Sequence, residues 1–111
     1  MCGIYGFTWV DQSLLREMLC KSKHRGPDNT STYTDETNIS LGHNLLAITD
    51  NPQDSKQPWK TPKGNILIYN GEIFNYEDLC RKYHDIFHPQ TKCDTELLAW
   101  GLDKFGISFI E

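Results

Sequence analysis

Apolar and polar positions change period several times along the chain, and each change marks an element. Residues 4–10 alternate, with Tyr5, Phe7 and Trp9 on one face and Ile4, Gly6 and Thr8 on the other, which predicts a strand beginning almost at the N-terminus. Asp11 then serves as the N-cap of a short helix whose Leu14, Leu15, Met18 and Leu19 form an apolar stripe facing the core. Lys23-His24-Arg25-Gly26-Pro27-Asp28 ends that helix, since cations suit its C-terminal end and Gly-Pro forbids continuation. Residues 30–34 and 39–48 read as two strands of a hairpin joined through Asp35-Glu36-Thr37-Asn38.

The second half is punctuated by prolines. Pro52, Pro58 and Pro62 predict a long irregular loop over residues 50–63, of the kind that carries function in a compact domain. Lys63-Gly64 turns the chain, and Ile66, Leu67, Ile68 and Tyr69 form a buried strand that stops at Asn70-Gly71. Asn-Gly ordinarily makes a hairpin turn, but no second strand follows. Asn75 instead caps a short helix, with Asp78 three residues on, running through Tyr83. Asp94 caps a further helix through Leu97, Leu98 and Trp100 to about Lys104, closed by Gly106. Residues 107–111 begin one more element.

With 111 residues the chain is one domain or part of one, long enough to bury roughly 60–70% of its unfolded surface. A net charge of −4 with scattered basic residues disfavours nucleic acid. No apolar run approaches the ~18 residues of a membrane span and no signal peptide opens the chain, so no membrane partner is expected and the expected location is cytoplasmic. Cys2, Cys20, Cys80 and Cys93 lack Cys-x-x-Cys spacing, which disfavours zinc, and a reducing compartment disfavours disulfides. His84 and His88 stand four apart, but Pro89 follows and no third ligand is near, so they read as loop histidines rather than a metal site.

The candidate chemistry begins at Met1-Cys2-Gly3-Ile4. Once Met1 is removed, Cys2 carries both a thiol nucleophile and an α-amine to serve as its base. Those groups ordinarily titrate at about 8.5 and 7.7–8.0, so near neutral pH some of the amine is free to accept the thiol proton. An acyl-transfer site also needs oxyanion donors. The Asn70 side-chain amide and the Gly71 N–H, at the end of a strand, suit that role. Glu72 and Asp94 are carboxylates suited to a substrate ammonium, although Asp94 alone could be only a helix cap and Glu72 only a solvated charge.

Together these stretches resemble the class II glutamine amidotransferases, and most closely the glutaminase domain of asparagine synthetases. The matching residues are Met1-Cys2-Gly3-Ile4 with Gly6, His24-Arg25-Gly26-Pro27-Asp28, Leu41-Gly42-His43 through Ile48 and Asp50, Gln57-Pro58, Asn70-Gly71-Glu72-Ile73-Phe74-Asn75-Tyr76, and Asp94-Thr95-Glu96. The resemblance spans residues 1–111. It implies an α+β N-terminal nucleophile hydrolase fold, an αββα sandwich of antiparallel sheets, truncated in its second half. It further implies that Cys2 attacks the side-chain amide of L-glutamine, releasing ammonia through a thioester, with Asn70 and Gly71 as the oxyanion hole. Leu46, Ile48, Glu72 and Asp94 are the implied substrate-binding positions.

The resemblance also implies a synthetase domain or second chain as partner, and it confines ATP and magnesium to that missing domain. No cofactor or metal is expected in this one. The family's arginine for the glutamine α-carboxylate falls at Leu45 in this register, after Asn44, so the cation would have to come from Lys56, Lys60 or Arg25. The alternative is a non-catalytic relative that keeps the fold and binds an amino acid or a partner chain.

Overall fold

The computed structural model describes residues 1–36, 38–48 and 51–111. Strand β1 (Gly3–Phe7) leads through Asp11 into helix α1 (Gln12–Lys21), and Asp11 Oδ1 accepts the Leu14 N–H at 2.9 Å, the N-cap bond its position predicts. The Lys23–Arg25 segment forms one 3₁₀ turn. Strands β2 (Asn29–Thr34) and β3 (Ser40–Leu45) follow, and β1 and β2 both pair antiparallel with β3 in the order β1-β3-β2. Of the predicted turn between β2 and β3, Thr37 lies outside the described residues, while Asp35 Oδ1 accepts the N–H groups of Asn38 and Ile39.

The two faces of β3 are built differently. Toward α1, a Cβ on Gly42 would come within 2.9 Å of the Leu15 and Leu19 side chains, so only a glycine lets the helix lie this close. Leu15 and Leu19 are fully buried there, each worth about 1.5–3 kcal/mol relative to exposure. Ser40 and Asn44 face the same way and are fully satisfied. Ser40 Oγ donates to Trp9 O and accepts from Asp11 N, while the Asn44 amide reaches Leu19 O, Ser22 Oγ and Thr30 Oγ1 at 2.8–3.1 Å. The predicted stripe is thus narrower than its sequence, because Leu14 is exposed and Met18 only half-buried.

The opposite face of β3 looks toward a second, two-stranded antiparallel sheet, β4 (Trp59–Lys60) with β5 (Ile66–Leu67). A Cβ built on Gly6 of β1 would lie 4.0 Å from Cδ1 of Ile68, the residue after β5, where the two sheets approach. Helix α3 (Asp94–Phe105) covers the far side against β4, and α2 (Tyr76–Lys82) packs on α3. The order helix, sheet, sheet, helix is the expected α+β sandwich of antiparallel sheets.

Strands β1 and β3 end at Phe7 and Leu45, short of the predicted residues 10 and 48, and three further sequence expectations need correction. The prolines of residues 50–63 do not exclude regular structure: β4 lies among them, because the Thr61 and Asn65 backbones close a hairpin across Gly64, whose φ of +86° suits glycine. Asp50, and with it the start of that loop, lies outside the described residues. The strand after Gly64 is two residues long and half-buried rather than buried, since its sheet has only one partner strand. The third concerns helix starts: Cys93, not Asp94, is the N-cap of α3, and Asn75 caps α2 without a side-chain bond. Residues 106–109 close the chain as a 3₁₀ turn whose Phe109 packs over α3 beside Trp100 and Phe105. Among the described residues no helix is long and apolar enough to cross a membrane.

Candidate active site

Cys2 lies immediately before β1, opposite the segment that leaves β3. That placement follows from the register, in which Gly3 faces Asn44, so Cys2 comes beside Leu45 and Leu46. Its Sγ accepts the Leu46 N–H at 3.4 Å and donates toward Leu46 O at 3.7 Å. The first bond survives loss of the thiol proton; the second does not. The segment is itself fixed from behind. Asp28 of the Gly26-Pro27-Asp28 turn donates its N–H to Leu45 O at 3.0 Å and accepts the Ala47 N–H on Oδ2 at 2.7 Å. Gly26 permits this, because a Cβ there would lie 2.3 Å from Asn44 O.

Cys2 opens into a cavity of about 80 Å³ whose wall includes Leu45, Tyr69, Gly71, Asp94 and Thr95. Leu46 and Ile48 also line it, Ile48 as an 88% exposed rim residue and Leu46 half-buried. Gly71 is where the wall needs glycine: a Cβ would fall 2.6 Å from Tyr69 Oη. Asp94 is the first residue of α3 and does not cap its own helix. Its Oδ2 accepts the Ile73 N–H at 2.9 Å, tying the stretch after Gly71 to the helix. Glu72 is exposed and lines an adjoining cleft of about 220 Å³ that shares Ile48, Gly71 and Asp94 with the cavity. Burial, then the charges of Asp94 and Glu72, push the Tyr69 phenol above its ordinary pKa, so both carboxylates act on this region.

The structure thus brings Cys2, Leu46, Ile48, Gly71, Glu72 and Asp94 to one connected pair of hollows. Asn70 does not line either of them. Leu45 is 4% exposed and forms part of the cavity wall, so the place expected for a carboxylate-binding side chain is apolar. None of the three cations proposed to replace it does so. Lys56 and Arg25 line neither hollow, and Lys60 lines a different cavity beside Trp59 and Trp100.

Two residues that sequence reasoning left without a role hold the wall in place. Gln57, 4% exposed, accepts the Tyr69 N–H on Oε1 at 2.5 Å and donates to Thr95 Oγ1 at 3.3 Å, bridging the end of β5 to α3. His43 faces the second sheet with 1% exposure, and its Nε2 has no partner among the described residues. Burial lowers the His43 pKa, opposed by a hydrogen bond with the Tyr69 backbone. Its place in Leu41-Gly42-His43, inside a predicted strand, was the available signal for His43. Gln57 had only its Gln57-Pro58 pairing. Among the described residues no three His, Cys, Asp or Glu side chains gather as a metal site.

A family model described as glutamine amidotransferase domain matches residues 1–111. Similar curated proteins are asparagine synthetases described as glutamine-hydrolyzing. A probable one from Acanthamoeba polyphaga mimivirus is 38% identical over 88% of this chain and 19% of its own length. The human enzyme is 37% identical over 96% of this chain and 20% of its own length. Asparagine synthetase B of Escherichia coli is 31% identical over 100% of this chain and 21% of its own length. The chain therefore spans about a fifth of the length of the curated relatives it matches.

Proposed function

Because the chain belongs to the glutamine amidotransferase domain family, as found in glutamine-hydrolysing asparagine synthetases, we propose that it hydrolyses L-glutamine to glutamate and ammonia at Cys2. The observation that carries this reading is the position of the Cys2 thiol at the mouth of a cavity that also presents Gly71 and Asp94.

Loss of Met1, whose side chain is 72% exposed, frees the Cys2 α-amine. The amine takes the thiol proton, and the sulfur attacks the carbon of the glutamine side-chain amide. The resulting oxyanion accepts the Gly71 N–H, with the Asn70 amide turning in beside it. Each such donor is worth about 10²–10³ in rate. The proton then passes from the α-ammonium to the leaving nitrogen, ammonia departs, and water hydrolyses the thioester by the same route in reverse. Asp94 and Glu72 hold the substrate ammonium. The ammonia serves a synthetase domain, in the same protein or in a second chain, as the nitrogen source of asparagine.

A glutaminase assay on Met1-processed protein tests the proposal. Equal release of glutamate and ammonia is expected, and its loss in Cys2→Ala. The buried apolar side chain of Leu45 in the cavity wall favours one other reading, a module that binds an amino acid without turning it over. Glutamine binding with no ammonia release from the processed protein would select it.

A further inference from the structure

We propose that Lys92 supplies the positive charge that binds the α-carboxylate of the substrate, in place of the apolar Leu45. This rests on the reading of the Cys2 cavity as a glutamine site. Glutamine carries its ammonium and its carboxylate on one carbon, so a site that holds the ammonium between carboxylates must also place the substrate's negative charge nearby. Among the described residues the cavity wall at Cys2 offers no cation: its charged lining residue is Asp94. The adjoining cleft, which shares Ile48, Gly71 and Asp94 with the cavity, adds Glu72 and one cation, Lys92.

The local sequence explains the placement. Cys93 is the N-cap of α3, so Lys92 stands one residue outside the helix and two before Asp94, where it borders the same cleft. Its charge is available. Lys92 is exposed, and among the described residues no ion pair joins it to Glu72, Asp94 or any other carboxylate. A substrate lying from Cys2 past Gly71 brings its α-carbon to the shared Asp94 edge, with Glu72 and Asp94 for the ammonium and Lys92 for the carboxylate. Without Lys92 the substrate carboxylate would face two like charges with no compensation. An ammonium on a flexible stem is a point charge rather than a two-pronged clamp, so this contact should be more sensitive to salt than an arginine fork.

The assignment predicts selectivity for a free α-carboxylate. Cys2→Ala protein, which binds without turnover, would be titrated by calorimetry with glutamine and with glutamine α-amide, which lacks the negative charge. Glutamine should bind about tenfold more tightly or better, the scale of a charge-assisted contact. Adding Lys92→Gln should bring that ratio near one by weakening glutamine, and adding Lys92→Arg should retain it. A ratio unchanged by Lys92→Gln, or an α-amide bound as tightly as glutamine to the Cys2→Ala protein, would overturn the assignment while leaving the glutamine reading standing. Binding of neither ligand, with no ammonia released by the Met1-processed parent, would remove the glutamine reading and this assignment with it.

Discussion

The two faces of strand β3 show how one short strand separates stability from chemistry. On the α1 face the polar side chains of β3 are paired and Gly42 is covered: Asn44 has three partners, Ser40 two, and Leu15 and Leu19 fill the space above Gly42. On the other face His43 Nε2 has no partner among the described residues, Leu45 borders a cavity, and Ile4 of the neighbouring strand remains 43% exposed. Buried polar groups are normally satisfied, so departures from that rule cluster where a site is held open. Residues alternate between the faces by the two-residue period of the strand, which lets adjacent positions such as Asn44 and Leu45 serve opposite purposes.

Substitutions on the two faces should therefore separate activity from stability. The largest effect belongs to Cys2→Ala, which removes the nucleophile. Ammonia release should fall to background while the urea unfolding midpoint stays within error. Next is Gly71→Ala, whose Cβ would meet Tyr69 Oη at 2.6 Å and displace the wall that carries the backbone donor. A loss of about 10²–10³ in kcat is expected, measured by glutamate release, with little change in unfolding.

On the α1 face the order reverses. Asn44→Ala removes one hydrogen bond each from Leu19 O, Ser22 Oγ and Thr30 Oγ1 and should cost about 1–3 kcal/mol in urea unfolding. Activity measured well below the new midpoint should persist. An Asn44→Ala protein of unchanged stability, or a Gly71→Ala protein unfolded but active, would erase the division between faces.

The smallest effect sharpens the comparison at His43. Burial holds its folded pKa below the unfolded value of about 6.5. Between the two values the unfolded chain binds more protons, so stability is full above about pH 6.5 and declines as pH falls toward the lowered folded value. One group sets a ceiling of about 1.4 kcal/mol per pH unit on that slope. His43→Phe should flatten the stability profile in this window, measured by urea midpoints at successive pH values. A slope that survives the substitution would assign the titration elsewhere.

Much of this architecture was legible in the chain, because it rests on local signals. The Asp11 cap, the Leu15 and Leu19 part of the predicted stripe and the β2–β3 hairpin each follow from nearby residues, whereas α1 already ends at Lys21, before Gly26-Pro27. What was not legible depends on contacts across the sequence. Asp94 looked like a helix cap because its type and position fit one, yet its carboxylate is drawn to the Ile73 N–H 21 residues away. The proline-rich loop hid β4, whose pairing is secured by Asp103 of α3 through Thr61, Lys63 and Asn65 rather than by strand propensity. Lys92 carried no signal at all; only the folded position of the α3 start brings it to the cleft of Glu72 and Asp94.

The proposed chemistry stands or falls on Cys2, freed of Met1, as the nucleophile of this cavity. Peptide mapping after treatment with a glutamine-mimicking diazoketone tests it most directly, on Met1-processed protein and on protein with Met1 retained. Rapid modification of Cys2 is expected in the processed protein alone, slowed by glutamine, with Cys20, Cys80 and Cys93 unlabelled. Equal labelling of the four cysteines, or full labelling of Cys2 with Met1 in place, would contradict it.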